Sequence, residues 1–248
     1  MLIPAYELVK YWDVTPTGVL HVGAHDAEEL EVYEEFKWGQ VVWVEAQPDK
    51  SELLREKMKN TLHVVVEAAV WDEPNLELEM KVMTNSASSS LLNLGTHKEA
   101  HPDIKVSRTF KIKTKLLADV VSKAFKPDLL VLDIQGAELR ALKGFGARLS
   151  GVKWIYSEVN KKLLYEDCCL VDELDSYLAT FNFRRVATRW TYSGWGDALY
   201  INRDTTSNDL GFRYLIWKII NQKYMTRNLL GMIKHRSMLS LKKFLKNT

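Results

Sequence analysis

The sequence predicts an α/β fold in which a doubly wound, mostly parallel sheet ends in an antiparallel hairpin. Three observations support this fold class: short apolar runs, helical segments between them, and a glycine-rich turn late in the pattern. The apolar runs are continuous and do not alternate with polar residues, which is typical of strands covered on both faces. These runs are residues 19–22, 41–44, 62–66, 129–132 and 152–156.

Segments with helical signals separate the apolar runs. In the last segment, Leu170, Leu174 and Leu178 repeat every four residues and form one apolar stripe. Strands that alternate with helices imply right-handed crossovers, and such crossovers build a doubly wound sheet. The predicted helices are residues 28–38, 48–59, 115–125, 138–142 and 170–180.

Two regions depart from this alternation. Residues 183–190 and 198–202 follow each other across the glycine-rich turn at 193–196, which predicts the terminal antiparallel hairpin. Residues 76–82 and 106–113 look like extra strands around a polar serine loop. We expect these extra strands to form an insertion over the edge of the sheet.

The chain has enough residues for one full domain and a tail of different character. At 248 residues, 46% of them hydrophobic, it can bury a single core, which we assign to residues 1–204. Residues 205–248 hold nine Lys or Arg and one acid, so this tail carries +8 while the body sums to −6 (2 − 8). A basic tail on an acidic body disfavours a nucleic-acid-binding face on the main domain.

The tail contains a predicted amphipathic helix with a basic face. Its apolar stripe has helical spacing, with Arg213, Lys218 and Lys223 outside the stripe. Two interpretations remain open: docking on the main domain or on a second subunit, and attachment to an anionic membrane surface. The stripe consists of Phe212, Leu215, Ile216, Ile219 and Ile220.

Several classes of protein are disfavoured by what the sequence lacks. No apolar run approaches the roughly 18 to 20 residues that span a bilayer, and residues 1–10 lack a signal-peptide pattern. We therefore expect a cytoplasmic protein, either free or peripheral at the inner membrane face. The two cysteines, Cys168 and Cys169, are neighbours and provide neither a disulfide framework nor a cysteine zinc site.

Polar residues follow the predicted strands at the points where the strands end. Ligands of an open α/β sheet bind outside these carboxyl ends, so the polar residues there are the candidates for chemistry. The first run breaks at Gly23, Ala24, His25 and Asp26, and the next four end at Glu45, at Glu67 followed by Ala68, at Asp133 and at Glu158.

The first strand end has the features of an anion-binding turn. Gly23 permits a tight turn, and the helix that follows offers free N–H groups. Asp26 and Glu29 have capping-box spacing, so Asp26 either caps this helix or faces a ligand. His25 either touches the ligand or only closes the turn.

Glu45 adds a second feature to the same site. It lies 22 positions after Gly23, where an acid can accept both ribose hydroxyls of an adenosine-type cofactor, although a solvated strand end is the alternative. A dinucleotide site needs G-x-G-x-x-G around the pyrophosphate, but residues 23–28 contain a single glycine. The spacing alone does not choose between cofactors, but the missing glycines disfavour a pyrophosphate.

Five sequence blocks follow in order through about three quarters of the chain. They are Leu-His-Val-Gly-Ala-His-Asp at 20–26, Val-Glu-Ala-Gln-Pro at 44–48, Ser-Ala-Ser-Ser-Ser at 86–90, Leu-Asp-Ile-Gln-Gly-Ala-Glu at 132–138 with Leu-Lys-Gly at 142–144, and Trp-Gly-Asp-Ala-Leu-Tyr at 195–200. In these blocks the chain resembles the FkbM family of methyltransferases. One departure is Ala27, where the family commonly has glycine.

The resemblance implies a Rossmann-like methyltransferase sheet, S-adenosylmethionine as the cofactor, and O-methylation, often of a hydroxyl on a sugar or a glycosylated product. A saccharide or glycoconjugate is then the expected acceptor. The residues expected at the cofactor are Gly23, Ala24, His25, Asp26, Glu45, Glu67, Ala68 and Asp133.

Asp133 and Glu158 are the candidate catalytic residues. They end adjacent strands and should face the same crevice, where either carboxylate can accept the proton of the acceptor hydroxyl. Alternatively, both hold a divalent cation through oxygen, although no third ligand is identified. Glu138 either shapes the turn after Asp133 or is a first-turn acid favoured by the helix dipole.

The acceptor pocket is expected on loops at the same edge of the sheet. Its candidate residues are Ser89, Asn160, Tyr165 and Trp195. The aromatic faces of Tyr165 and Trp195 can pack on the apolar face of a sugar ring, or they can be ordinary packing residues.

Two other functions remain as alternatives. A nicotinamide-dependent oxidoreductase needs the pyrophosphate loop that this sequence lacks. A non-catalytic module would keep the fold and the cofactor but would have lost turnover. The joint presence of Gly23, Glu45, Asp133 and Glu158 disfavours that second alternative, and Ala27 keeps it open.

Overall fold

The computed structural model describes residues 1–96, 103–205, 213–224 and 226. It contains ten strands in two sheets. The strands are β1 (Gly18–Val22), β2 (Gln40–Glu45), β3 (Val64–Glu67), β4 (Ala69–Trp71), β5 (Glu77–Met83), β6 (Val106–Leu116), β7 (Leu129–Leu132), β8 (Trp154–Asn160), β9 (Phe183–Trp190) and β10 (Trp195–Asn202).

A seven-stranded sheet in the order β3-β2-β1-β7-β8-β10-β9 forms the centre of the main unit. Its first five strands pair in parallel, and β10 pairs antiparallel with both β8 and β9. Chain order reverses between β1 and β7, which is the switch point where such sheets bind ligands. The predicted doubly wound, Rossmann-like sheet with a terminal antiparallel hairpin is confirmed.

Helices cover the sheet and bury its apolar residues. All residues of β1, β7 and β8 are buried, as expected for strands covered on both faces. Leu174 and Leu178 are fully buried, so the predicted stripe faces the core. The helices are α1 (Ala5–Trp12), α2 (Leu30–Glu35), α3 (Pro48–Met58), α4 (Leu117–Val120), α5 (Glu138–Phe145) and α6 (Val171–Ala179).

The predicted insertion is a second, three-stranded sheet in the order β4-β6-β5. After one residue beyond the edge strand β3, the chain enters β4 and pairs in parallel with the end of β6. This pairing extends β6 to Leu116. The helix predicted over residues 115–125 is therefore wrong in length, because its first two residues belong to a strand and only Leu117–Val120 are α-helical.

The helix α1 was not predicted, and a buried ion pair fastens it to the terminal hairpin. Arg189 of β9 donates to the Glu7 carboxylate at 3.0 Å, and both side chains are buried. Removal of one partner from a buried ion pair is costly, because the remaining partner becomes an uncompensated buried charge.

The C-terminal residues belong to a second compact unit, Asn208–Thr248, separate from Met1–Ser207. Residues 213–224 are helical, whereas Phe212, the first residue of the predicted stripe, lies outside the described residues. No helix within the described ranges is both long and apolar enough to cross a bilayer.

Candidate active site

A cleft opens at the carboxyl ends of β1, β2 and β7. The empty space within it, including the part open to solvent, is about 570 Å³. Gly23, Glu45 and Asp133 line it from the three strand ends, and Ala68 lines it beside them. A serine segment, residues 86–91 after β5, forms another wall.

Gly23 lies where the ends of β1, β2 and β7 come together at the cleft. Its φ is +87°, and a Cβ at this position would lie 1.9 Å from the carbonyl oxygen of Asp133. Its N–H donates to the carbonyl of Val44 at 2.9 Å. Only glycine therefore lets the ends of β1, β2 and β7 approach each other this closely.

His25 ties the loop after β1 to the serine segment. Its Nε2 lies 2.8 Å from Ser86 Oγ, and its Nδ1 lies 2.8 Å from Glu28 Oε1. Its φ of +44° is unusual for a residue with a Cβ. Because His25 also lines the cleft, both of its predicted roles, ligand contact and turn closure, are compatible with its position.

Glu45 is a buried acid at the carboxyl end of β2, and its carboxylate accepts hydrogen bonds from backbone N–H groups. Its Oε2 accepts the N–H of His25 at 2.8 Å, and its Oε1 accepts the N–H of Gln47 at 2.9 Å. Burial raises the pKa of Glu45, while backbone hydrogen bonds from Gln47, His25 and Ala46 oppose that shift. A carboxylate has about four acceptor positions, so these backbone donors leave acceptor capacity for a hydroxyl donor of a ligand.

Three other predicted cofactor residues lie outside the cleft lining. Ala24 is buried behind it. Asp26 binds Lys50 Nζ at 2.6 Å, and it is not a helix cap because α2 begins at Leu30 with Glu29 in the N-cap position. Glu67 pairs with Arg55 at 3.1 Å on a different surface groove.

The side-chain amide of Gln135 bridges the carboxyl groups of Asp133 and Glu158. Gln135 Nε2 donates to Asp133 Oδ1 at 2.6 Å and to Glu158 Oε2 at 2.9 Å. Asp133 is exposed to the cleft, whereas Glu158 is buried. The two predicted catalytic residues therefore lie together, with Asp133 the nearer to a ligand.

Both acids are harder to ionise than a free carboxyl. Although Asp133 faces the open cleft, the protein around its carboxyl displaces much of its hydration, and this desolvation, followed by the negative charge of Asp197, raises the pKa of Asp133 to about 6, against the hydrogen bond from Gln135. Burial raises the pKa of Glu158 well above its usual range, and the charges of Asp133 and Glu138 add to this effect. When it is ionised, a carboxylate with a raised pKa binds a proton more tightly than an ordinary one.

Asp197 belongs to the same acidic group, and the sequence analysis did not single it out. It pairs with Glu158 across β10 and β8, and it accepts hydrogen bonds from the Leu2 N–H at 2.6 Å and from the Tyr156 hydroxyl. Burial raises its pKa. The available signal was an acid next to the apolar run 198–201, where a charge is rare.

Glu138 shapes the loop before α5. Its Oε1 accepts the N–H groups of Ile134 and Gly136, both at 3.1 Å, and it is buried. Burial raises its pKa to about 7. Of its two predicted roles, shaping the turn is the one that these contacts support.

The residues present do not fit a divalent cation between Asp133 and Glu158. A bridging cation needs free carboxylate oxygens that converge on one point, but the Gln135 amide donates to both acids in that position. Within the described ranges, His25, Asp26 and Glu28 are a second group of possible ligands. There the His25 nitrogens already face Glu28 and Ser86, and Asp26 binds Lys50.

The four predicted acceptor residues lie in different environments. Ser89 lines the cleft and donates to the carbonyl of Ser86 at 2.7 Å. Asn160 is buried at the end of β8. The ring of Tyr165 is only 1% exposed, and Trp195 packs against the same small apolar cluster. In this structure Tyr165 therefore offers no ring face to a sugar.

The methyltransferase FkbM domain matches residues 21–185, about two thirds of the chain. This span runs from β1 into β9 and includes the whole lining of the cleft. No curated protein matches the chain.

The chain is similar to solved structures of methyltransferases at low identity. The ribosomal protein L11 methylase of Lactobacillus delbrueckii subsp. bulgaricus is 12% identical, with a TM-score of 0.46 over 79% of this chain and 76% of that chain. The 1,6-didemethyltoxoflavin-N1-methyltransferase of Burkholderia thailandensis is 9% identical, with a TM-score of 0.47 over 82% and 78%. The magnesium protoporphyrin IX methyltransferase of Synechocystis is 10% identical, with a TM-score of 0.44 over 81% and 76%. Similarity at this level says nothing about the substrate.

Proposed function

Because this chain belongs to the methyltransferase FkbM domain family and is a methyltransferase, we propose that it transfers a methyl group from S-adenosylmethionine to a hydroxyl of a sugar, a glycan or a glycosylated product. The observation that carries the proposal is a single cleft lined by both acids. Glu45 is placed to accept ribose hydroxyls, and Asp133 is a carboxylate that can act as a base. Gly23 lies at the end of the strand between the two, and its lack of a side chain leaves room for the Asp133 carbonyl.

The residues of the cleft fit the cofactor. Glu45 keeps acceptor capacity for ribose hydroxyls beyond its backbone hydrogen bonds. Gly23 leaves room where a Cβ would collide with the carbonyl of Asp133. Gly23, His25, Glu45 and Ala68 would hold S-adenosylmethionine, which when bound supplies an electrophilic methyl group.

Asp133 suits the task that an alcohol acceptor imposes. A hydroxyl of high pKa needs a base as its oxygen attacks the methyl carbon. The oxygen–carbon bond forms as the sulfur–carbon bond breaks, and the proton passes to Asp133. Since its pKa is about 6, most Asp133 side chains are charged at pH 7 and yet bind a proton more tightly than an ordinary aspartate.

Glu158 lies behind Asp133, away from the cleft. It lies one amide away from Asp133 and is buried, so it acts on the electrostatics of the pair without lining the cleft. A saccharide acceptor is consistent with the polar serine wall, where the Ser86 and Ser89 hydroxyls, already bonded to His25 and to the Ser86 carbonyl, keep acceptor lone pairs for a polyol.

The two alternatives make different predictions. An oxidoreductase would need a pyrophosphate-binding turn, but the backbone N–H groups of Ala24 and His25 after Gly23 already donate to Val44 and Glu45. A non-catalytic module would bind the cofactor without modifying any acceptor.

A screen for methyl transfer over saccharides and glycolipids, with cofactor labelled in the methyl group, tests the proposal. We expect labelled product with the wild type, and loss of turnover with retained cofactor binding in Asp133→Asn and Glu158→Ala. Asp172→Asn, which removes an exposed acid on α6, is the control and should retain turnover. Cofactor binding without transfer to any acceptor would favour the non-catalytic module, and unchanged turnover in Asp133→Asn would remove its role as base.

A further inference from the structure

Gln135 makes contacts that its position in a loop would not suggest. Its amide nitrogen carries two hydrogens, and each one goes to a different acid: Asp133 at 2.6 Å and Glu158 at 2.9 Å. The two carboxyls are therefore held at a fixed separation by a neutral group that favours their charged forms.

Tyr165 fixes which end of the amide faces the acids. Its hydroxyl donates to Gln135 Oε1 at 2.6 Å. If the amide were reversed, its oxygen would face the carboxyl oxygens of Asp133 and Glu158, which is repulsive. Tyr165 is buried, and its backbone pairs with Leu94, so the hydroxyl has little freedom to move.

The backbone of Gln135 is held in a conformation that it would not adopt alone. Its φ is +53°, a left-handed value that costs about 1–2 kcal/mol in a residue with a Cβ. Ser90 Oγ donates to the Gln135 carbonyl at 2.8 Å and accepts the Leu92 N–H at 3.0 Å. Backbone strain that is secured by specific contacts is common at functional sites.

We propose that Gln135 is a positioning residue of the methyl-transfer reaction, which aligns the carboxyls of Asp133 and Glu158, and that Tyr165 acts through it by setting the direction of its amide. This proposal rests on the proposed function, because the two acids are the groups that it positions. It also gives Tyr165 a role different from stacking on a sugar ring.

The surroundings make these two hydrogen bonds important. Nearly every charged group near Asp133 and Glu158 is negative, so without donors both acids would be driven toward their neutral forms. The groups that face them are Asp197 on β10, Glu138 on α5, Glu29 before α2, the phenol of Tyr165 and the amino group of Met1.

Titration of the carboxyls by infrared spectroscopy tests the proposal without any acceptor. In Gln135→Leu we expect the carboxyl bands to titrate about one pH unit higher than in the wild type, because two donors are lost. Tyr165→Phe should shift them in the same direction by less. Since Tyr165 acts through Gln135, the double variant should shift no further than Gln135→Leu alone.

Kinetics give the second readout. We expect kcat of Gln135→Leu to fall at least about tenfold at neutral pH, mainly because the carboxyls lose their alignment, with only partial recovery toward higher pH and with cofactor affinity in calorimetry unchanged. Tyr177→Phe is the matched control, because it removes a hydroxyl that donates to Leu142 far from these acids. It should change neither the titration nor kcat.

An unshifted titration in both Gln135→Leu and Tyr165→Phe would overturn the proposal, as would additive shifts in the double variant or a loss of cofactor affinity. If Gln135→Leu does not fold, Tyr165→Phe alone decides the outcome, because it deletes a single oxygen. If the wild type methylates no acceptor, the proposed function fails while the titration still tests the hydrogen bonds.

Discussion

Ala27 has a backbone conformation that glycine adopts more easily. Its φ is +50° and its side chain is 1% exposed, in the loop between β1 and α2. Lys57 Nζ donates to its carbonyl at 3.2 Å and to that of Asp26 at 2.8 Å, which helps to hold the loop in place. The loop therefore keeps the geometry of a glycine turn although the family's usual glycine is absent.

We expect Ala27→Gly to raise the free energy of unfolding by about 0.5–1 kcal/mol. Relief of the left-handed strain, about 1–2 kcal/mol, exceeds the entropy that glycine adds to the unfolded chain. Urea unfolding measures the difference. Ala24→Gly is the control: Ala24 is buried nearby without a positive φ, so its loss should destabilise the protein. A destabilised Ala27→Gly would contradict the strain argument.

At the scale of single residues, the sequence predicted the position of the site more accurately than the role of each side chain. Gly23, Glu45 and Asp133 line the cleft as the strand ends predicted. The position of a strand end does not say which way its side chain points, and Glu67, on the edge strand β3, pairs with Arg55 in another groove. The link made by Gln135 could not be predicted, because it depends on a left-handed φ and on a tyrosine 30 positions away.

At the scale of elements, the carboxyl of Glu138 at the start of α5 makes the stability of the fold depend on pH. Burial raises its pKa to about 7 from a usual 4.5. The folded state favours the neutral form of Glu138. Its contribution to the free energy of unfolding is therefore fully present below about pH 4.5, and it is lost as the pH rises through about 7. The upper bound of this contribution is about 3 kcal/mol.

We expect Glu138→Gln to flatten the dependence of stability on pH. Glutamine keeps an oxygen for the N–H groups of Ile134 and Gly136 but has no proton to lose. Between pH 5 and 8, the free energy of unfolding should fall less in the variant than in the wild type. Glu31→Gln, on the exposed face of α2, should keep the wild-type dependence. Equal slopes for Glu138→Gln and the wild type would show that Glu138 is charged throughout.

The sequence predicted most strands because continuous apolar runs require burial on both faces. It missed α1, an eight-residue helix without a side-chain cap, and β4, which has three residues. It also extended a helix over residues 115 and 116, which pair with β4. Such pairings join residues about 45 positions apart in the chain, and local periodicity carries no information about them.

The whole molecule has an uneven charge distribution. The residues from 205 onward carry +8 and the rest −6, and the cleft itself is lined or backed by acids. A cationic cofactor is favoured in such a cleft, whereas the tail is suited to an anionic surface. We propose that the tail attaches the protein to anionic membranes, the interpretation that its lysines support.

Co-sedimentation with vesicles of anionic and of neutral lipids tests the membrane proposal. We expect the full chain to bind the anionic vesicles, and the variant Lys218→Glu with Lys223→Glu to bind them less, since each basic residue near the surface contributes about 1 kcal/mol. Lys123→Glu with Lys126→Glu makes the same charge change on exposed residues of the body. Equal partitioning of the wild type and the tail variant would exclude membrane attachment through these lysines.

The central claim is that the cleft between Gly23, Glu45 and Asp133 binds S-adenosylmethionine, and calorimetric titration tests it most directly. We expect the wild type to bind the cofactor and Glu45→Gln to bind it about tenfold or more weakly, because a hydrogen bond to a charged group contributes about 1.5–3 kcal/mol. Glu56→Gln, on the exposed face of α3, should bind like the wild type. Equal affinity in Glu45→Gln, or binding of a nicotinamide dinucleotide in place of S-adenosylmethionine, would contradict the account.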